Sequence, residues 1–116
     1  MTQDHQGCVV MTTVDTAEAA ATLSRRLVEE RLAACVQRVP VESCYEWEGS
    51  LEEAKETLLM VKTTVERYPA VAAWLSQNHP YDLPEVVMVP AGEVSTGYLG
   101  WLVRMTTPPP GAALET

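Results

Sequence analysis

Few side chains in this 116-residue chain are placed to do chemistry. Lys62 closes the apolar run Leu58 to Val61, and Glu85 opens another, Val86 to Val89. A charge bordering a buried strand must be paired, sit in a cleft, or act on something. Brought to one side of a subunit boundary with Tyr81, the two would form an anion or polar-ligand site. Lys62 would be the anchor, Glu85 the acid or base, and Tyr81 the wall. A structural ion pair between Lys62 and Glu85 answers to the same pressure, so that alternative stays open. Tyr45, Trp47, Tyr98 and Trp101 add aromatic surface, which a small oligomer more often spends on interface packing.

The segment Glu42 to Glu56 holds six carboxylates, opposed only by Lys55. Oxygen ligands at that density suit hard divalent cations, but the spacing matches no EF-hand loop, and a solvated hairpin flank is the simpler reading. Cys8, Cys35 and Cys44 are odd in number and widely spaced, without a CxxC pair, which predicts free thiols in a reducing compartment. Cys35 reads as a small buried hydrophobe rather than a reactive thiol. His79 stands before Pro80 at the end of a helical pattern, a place the helix dipole favours without any metal. No P-loop, GxGxxG, nucleophile elbow or HExxH occurs, so the chain is not read as an enzyme.

Sixteen acidic against eight basic residues leave a formal charge of −8, with a pI near 4.6. Such a field repels phosphate backbones and anionic lipid, which argues against nucleic acid and membrane partners. Met1 to Gly7 has no signal-peptide character and no apolar run approaches the roughly 20 residues of a membrane span, so a cytoplasmic location is expected. A mass of 12.7 kDa with 47% apolar residues suits one domain, residues 1–105. Residues 106–116, with three consecutive prolines, read as a flexible tail.

The elements that must position these groups follow from the apolar spacing. Cys8 to Thr13 is a β-branched run, and Val14-Asp15-Thr16 offers an N-cap to a helix over Ala17 to Arg31, with Ala20, Leu23 and Leu27 on its apolar stripe. A strand from Cys35 alternates in character between Val39 and Trp47, and Glu48-Gly49-Ser50 turns it back into a long strand, Leu51 to Thr64. A short helix from Pro69 ends at His79-Pro80, a strand covers Val86 to Val89, and Tyr98 to Met105 is ordered but of open type. The order βαββαβ plus a C-terminal element predicts an α+β ferredoxin-like sandwich, with two helices on one face of a four-stranded antiparallel sheet. Two helices cannot cover both faces of strands that are apolar on both. An oligomer built through the sheet is therefore expected, and Leu59 or Val61 is a candidate interface position.

Leu32-Ala33-Ala34-Cys35, Ser43-Cys44-Tyr45 running into Trp47-Glu48-Gly49, Val61-Lys62-Thr63-Thr64, His79-Pro80-Tyr81 ahead of Pro84-Glu85, and Tyr98-Leu99-Gly100-Trp101-Leu102 occur in that order. Together they resemble the motifs of the divalent-cation-tolerance (CutA) family. The resemblance implies a homotrimer of ferredoxin-like subunits, a role in tolerance of divalent metals such as copper, and no obligatory cofactor. It also implies copper contacts at a first-strand Cys and a His pair before Pro-Tyr. Here those positions carry Thr12, Asn78 and His79, so His79 is the one metal candidate that matches. Cys8 lies about 13 Å up the strand from Thr12 and does not replace the missing ligand. Copper binding is accordingly expected to be weak and to depend on His79 or a free Cys. The rival readings are an enzyme or small-ligand sensor with an intersubunit site, and a stable trimeric scaffold.

Overall fold

The computed structural model describes residues 5–108. Strand β1 (Gly7–Val14) leads into helix α1 (Ala17–Glu29), whose N-cap Thr16 accepts from the Ala19 N–H at 3.0 Å. The helix stops two residues before the sequence reading because Arg31 takes a left-handed φ of 58°. Its guanidinium donates to the carbonyls of Arg104 and Thr107, while its own carbonyl accepts from Arg67 Nε. That engagement turns Arg31 toward the C-terminal helix.

Strands β2 (Cys35–Trp47) and β3 (Ser50–Thr64) form one long hairpin. Glu48 and Gly49 both have positive φ, 51° and 84°, which is the two-residue turn that matches strand twist. A short 3₁₀ turn, Val65–Arg67, then leads into α2 (Tyr68–Asn78), followed by β4 (Val87–Pro90) and α3 (Thr96–Thr106). The segment of open type is thus helical. Thr106 belongs to it, buried, with its hydroxyl donating to the Leu102 carbonyl at 2.7 Å. The rest of the predicted tail, from residue 109 on, lies outside the described residues.

The sheet is antiparallel in the order β2-β3-β1-β4, the ferredoxin-like arrangement expected from the element order. Cross-strand partners share a face. Val10 and Thr12 therefore lie with Val61 and Leu59, and these pack with Leu23 and Leu27 of α1 and Val71 and Leu75 of α2 in the core. Leu59 and Val61 are fully buried inside the subunit, which corrects their reading as interface positions.

The opposite face carries Val9, Met11 and Thr13 of β1, Leu58, Met60 and Lys62 of β3, and Val39 of β2. Val87 and Val89 of β4 continue it. Helix α3 covers only its end, where a Cβ added at Gly7 would meet Val94 Cγ2 at 2.9 Å and Leu102 Cδ1 at 3.3 Å. Gly7→Ala should therefore lose about 1–3 kcal/mol by forcing Val94 aside, read as a lower Tm. The rest of the face is open: Val39, Val87 and Val89 keep 40–45% of their surface. Beyond Val14, which pairs with Thr57, the hairpin continues as two strands without β1 beside them.

Candidate functional site

Tyr81 is the best-anchored residue of the loop between α2 and β4. His79 caps α2, its backbone N–H donating to the Leu75 carbonyl. Its ring bridges outward in two directions. Nδ1 accepts the Tyr81 backbone N–H at 3.0 Å, and Nε2 lies 2.9 Å from the Thr13 carbonyl. A carbonyl only accepts, so the imidazole is neutral with its proton on Nε2. The Tyr81 ring stands edge-on to His79 with centroids 4.9 Å apart, and its hydroxyl donates to Glu56 Oε2 at 2.7 Å. The start of the loop is thus clasped to the end of β1 and to β3.

The electrostatics follow from partial burial. Burial pushes the His79 imidazole below its usual value of 6.5, against the opposing pull of the Thr13 carbonyl and of the charges on Asp15 and Glu56. Burial also raises the Tyr81 phenol well above its ordinary range, and the hydrogen bond to Glu56 raises it further. Tyr81 therefore stays a neutral donor at any physiological pH.

Between this loop and the hairpin arm lies an open cleft of about 590 Å³. Tyr45, Trp47 and Tyr81 line it together with Asp15, Glu56, Asp82 and Glu85, with Lys55 the single cation among the described residues and Cys44 at its wall. Within one subunit Tyr81 and Glu85 line the same cleft. Lys62 lies outside it in the same subunit. It pairs with Val9 and Cys35, six residues along β3 from Glu56, roughly 20 Å away at strand rise. Among the described residues no ion pair joins Lys62 to Glu85, so the structural-pair alternative is absent within the chain.

Sequence reasoning left Asp15, Asp82 and Lys55 out of the site and counted Glu56 with a solvated flank. Five of the six hairpin carboxylates are indeed exposed, and Glu56 alone is half-buried. The available signal was the turn at Gly49, which fixes Tyr45 opposite Glu52 and Val41 opposite Glu56 and so puts Glu56 on the aromatic face. Tyr98 and Trp101 stack on each other on α3, away from the cleft, with centroids 5.4 Å apart.

The residues at the implied copper positions do not fit copper as they stand. Thr12 is fully buried in the core with an unpartnered hydroxyl, and the Asn78 amide donates to the Trp74 carbonyl. His79 has both ring nitrogens engaged. Cys8 is buried among apolar side chains, its thiol pushed up to about 11 by burial and by the Glu66 charge, and is a poor thiolate ligand. Among the described residues no three His, Cys, Asp or Glu side chains converge as a metal site.

An α+β sandwich of ferredoxin-like topology, with a hairpin arm reaching past its sheet and an aromatic cleft beside it, defines the class. The sequence profile of the CutA1 divalent ion tolerance proteins matches residues 8–105, and the chain belongs to that family. The divalent-cation tolerance protein CutA of Thermus thermophilus is 46% identical over 99 residues, covering 84% of this chain and 96% of that protein. A solved structure from the same organism superposes with a TM-score of 0.82 at 44% identity, covering 87% of this chain and 99% of that one. CutA from Synechococcus elongatus superposes with a TM-score of 0.85 at 37% identity, covering 88% and 91%. The chloroplastic CutA of Arabidopsis thaliana is 42% identical, and this chain spans 54% of its length. Relatives include a chloroplastic and a periplasmic form, and among the described residues no helix is long and apolar enough to cross a membrane.

Proposed function

We propose that this chain works as a homotrimer in divalent-cation tolerance, by binding rather than by catalysis, and in the cytoplasm. The carrying observation is the sheet face opposite α1 and α2, which exposes Val39, Val87 and Val89 beside Leu58, Met60 and Met11. The two-stranded arm supports the same reading, because an isolated two-stranded ribbon is at best marginally stable in water. Three unpaired cysteines support a reducing compartment. Sedimentation at micromolar concentration tests the assembly, with three times 12.7 kDa expected. A species of 12.7 kDa would overturn it.

Copper contact, on this reading, is weak. For His79 to ligate, it must release either the Tyr81 N–H or the Thr13 carbonyl. Copper titration of the wild type and of His79→Ala should give similarly weak binding. Tight binding that disappears in His79→Ala would show that the imidazole leaves its clasp and is a ligand.

A second reading, a small-ligand sensor, is favoured by one specific observation. The Tyr81 ring is fixed at the wall of a cleft of about 590 Å³, a size typical of small-molecule sites.

A further inference from the structure

The end of α1 carries an unexpected residue for its backbone. The Leu32 N–H donates to the Leu27 carbonyl and the Arg31 N–H to the Val28 carbonyl, both at 3.0 Å, the pair of bonds that closes a helix through one left-handed residue. Glycine is the ordinary occupant of that position, because a side chain at positive φ is strained. Here it is Arg31, at φ 58°. A residue held in a strained conformation points to a use for its side chain.

The Arg31 guanidinium reaches the far end of the fold. Its Nε donates to the Thr107 carbonyl at 2.6 Å and its Nη2 to the Arg104 carbonyl, two of the acceptors that the last turn of α3 leaves open. The dipole of α3 favours a cation there as well. Among the described residues no carboxylate pairs with Arg31, and its backbone carbonyl is fixed from another side by Arg67 Nε at 3.1 Å. Little else fastens α3. Of its residues only Leu102 and Thr106 are buried, and the Thr106 hydroxyl bonds within the helix itself. Helix α3 lies on the end of the open sheet face, against Gly7, so its position decides how far that face extends. On the trimer reading above, that face is where a second copy docks. We infer that Arg31 is a positioning residue that latches α3 to the end of α1 and, through α3, sets the boundary of the docking face.

Arg31→Gly tests it, because glycine keeps the left-handed turn and removes the guanidinium. Amide hydrogen exchange of the assembled protein should then run at least about tenfold faster through α3, while α1 keeps its wild-type protection. In sedimentation the trimer should dissociate at roughly tenfold higher concentration. Arg31→Lys, whose single ammonium does not reproduce the two-pronged guanidinium, should fall between. If Arg31→Gly only raises the melting temperature, with α3 exchange and assembly unchanged, the arginine does no more than end α1 and the inference is wrong. If α3 loosens while the trimer dissociates as in the wild type, the latch does not reach the docking face and the inference is overturned as well. A wild type that sediments as a monomer at every concentration, with α3 still loosened in Arg31→Gly, would overturn the trimer reading and support the latch.

Discussion

Leu58→Asp should release folded monomers of 12.7 kDa, whereas Leu59→Asp, one position further along the same strand, should yield no folded protein. The two side chains point to opposite faces of β3. Leu59 is fully buried among Val10, Leu27 and Leu75 in the core of the subunit. An ionised carboxylate there, taken from water into an apolar cluster, costs several kcal/mol or more. A domain holds only about 5–15 kcal/mol in total, so the loss is not survivable. Leu58 lies between Thr13 and Val39 on the uncovered face, where a carboxylate stays hydrated in the free subunit and becomes intolerable only against a partner. Sedimentation and far-UV circular dichroism of both variants separate the outcomes. A folded, trimeric Leu58→Asp would move the interface elsewhere.

His79→Ala should destabilise the subunit by about 2–4 kcal/mol, since it deletes the bond to the Thr13 carbonyl and strands the Tyr81 N–H. It should also change the shape of the pH profile. The folded imidazole binds its proton less readily than the unfolded one, because burial lowers its pKa from 6.5. Below that value the unfolded chain takes up more protons than the folded chain. The His79 contribution is therefore complete above 6.5, is lost as pH falls from 6.5 toward the lowered folded value, and then levels off. Urea midpoints between neutral pH and about pH 5 should show this fall in the wild type and a shallower one in the variant. Parallel profiles would mean that His79 is free to protonate without loss of its contacts.

The fold was legible because its signals are local and periodic. Alternation along Val39 to Trp47, the turn at Gly49, the capping stretch Val14-Asp15-Thr16 and the stop at His79-Pro80 each specify one element, and their order leaves few topologies. Five motifs in sequence then made the family recognisable. What could not be read was depth and direction. Leu58 and Leu59 are chemically identical, and only the packed helices decide that Leu59 faces inward. Arg31 ends α1 through bonds to residues more than seventy positions away, a contact no local pattern announces. The site was half legible for the same reason. Tyr81 and Glu85 share a loop region and a cleft, while strand length puts Lys62 of the same subunit at the far end of β3. His79 was noticed as a helix stop and as a metal candidate. That both its nitrogens are consumed by backbone groups depends on how β1 ends, which the sequence around His79 does not contain.

The tight turn at Glu48 and Gly49 also bears on the time course of folding. The β2–β3 hairpin is closed by two residues, and such hairpins zip within about 1–10 μs. Strand β1 reaches β3 only across long stretches of chain, from Val14 with Thr57 to Gly7 with Thr64, and such non-local pairings form late. For an interval the hairpin therefore exists with both apolar sides of β3 uncovered. Refolding yield should then fall with rising protein concentration, since early hairpins meet one another before β1 arrives, while slow dilution favours the native route.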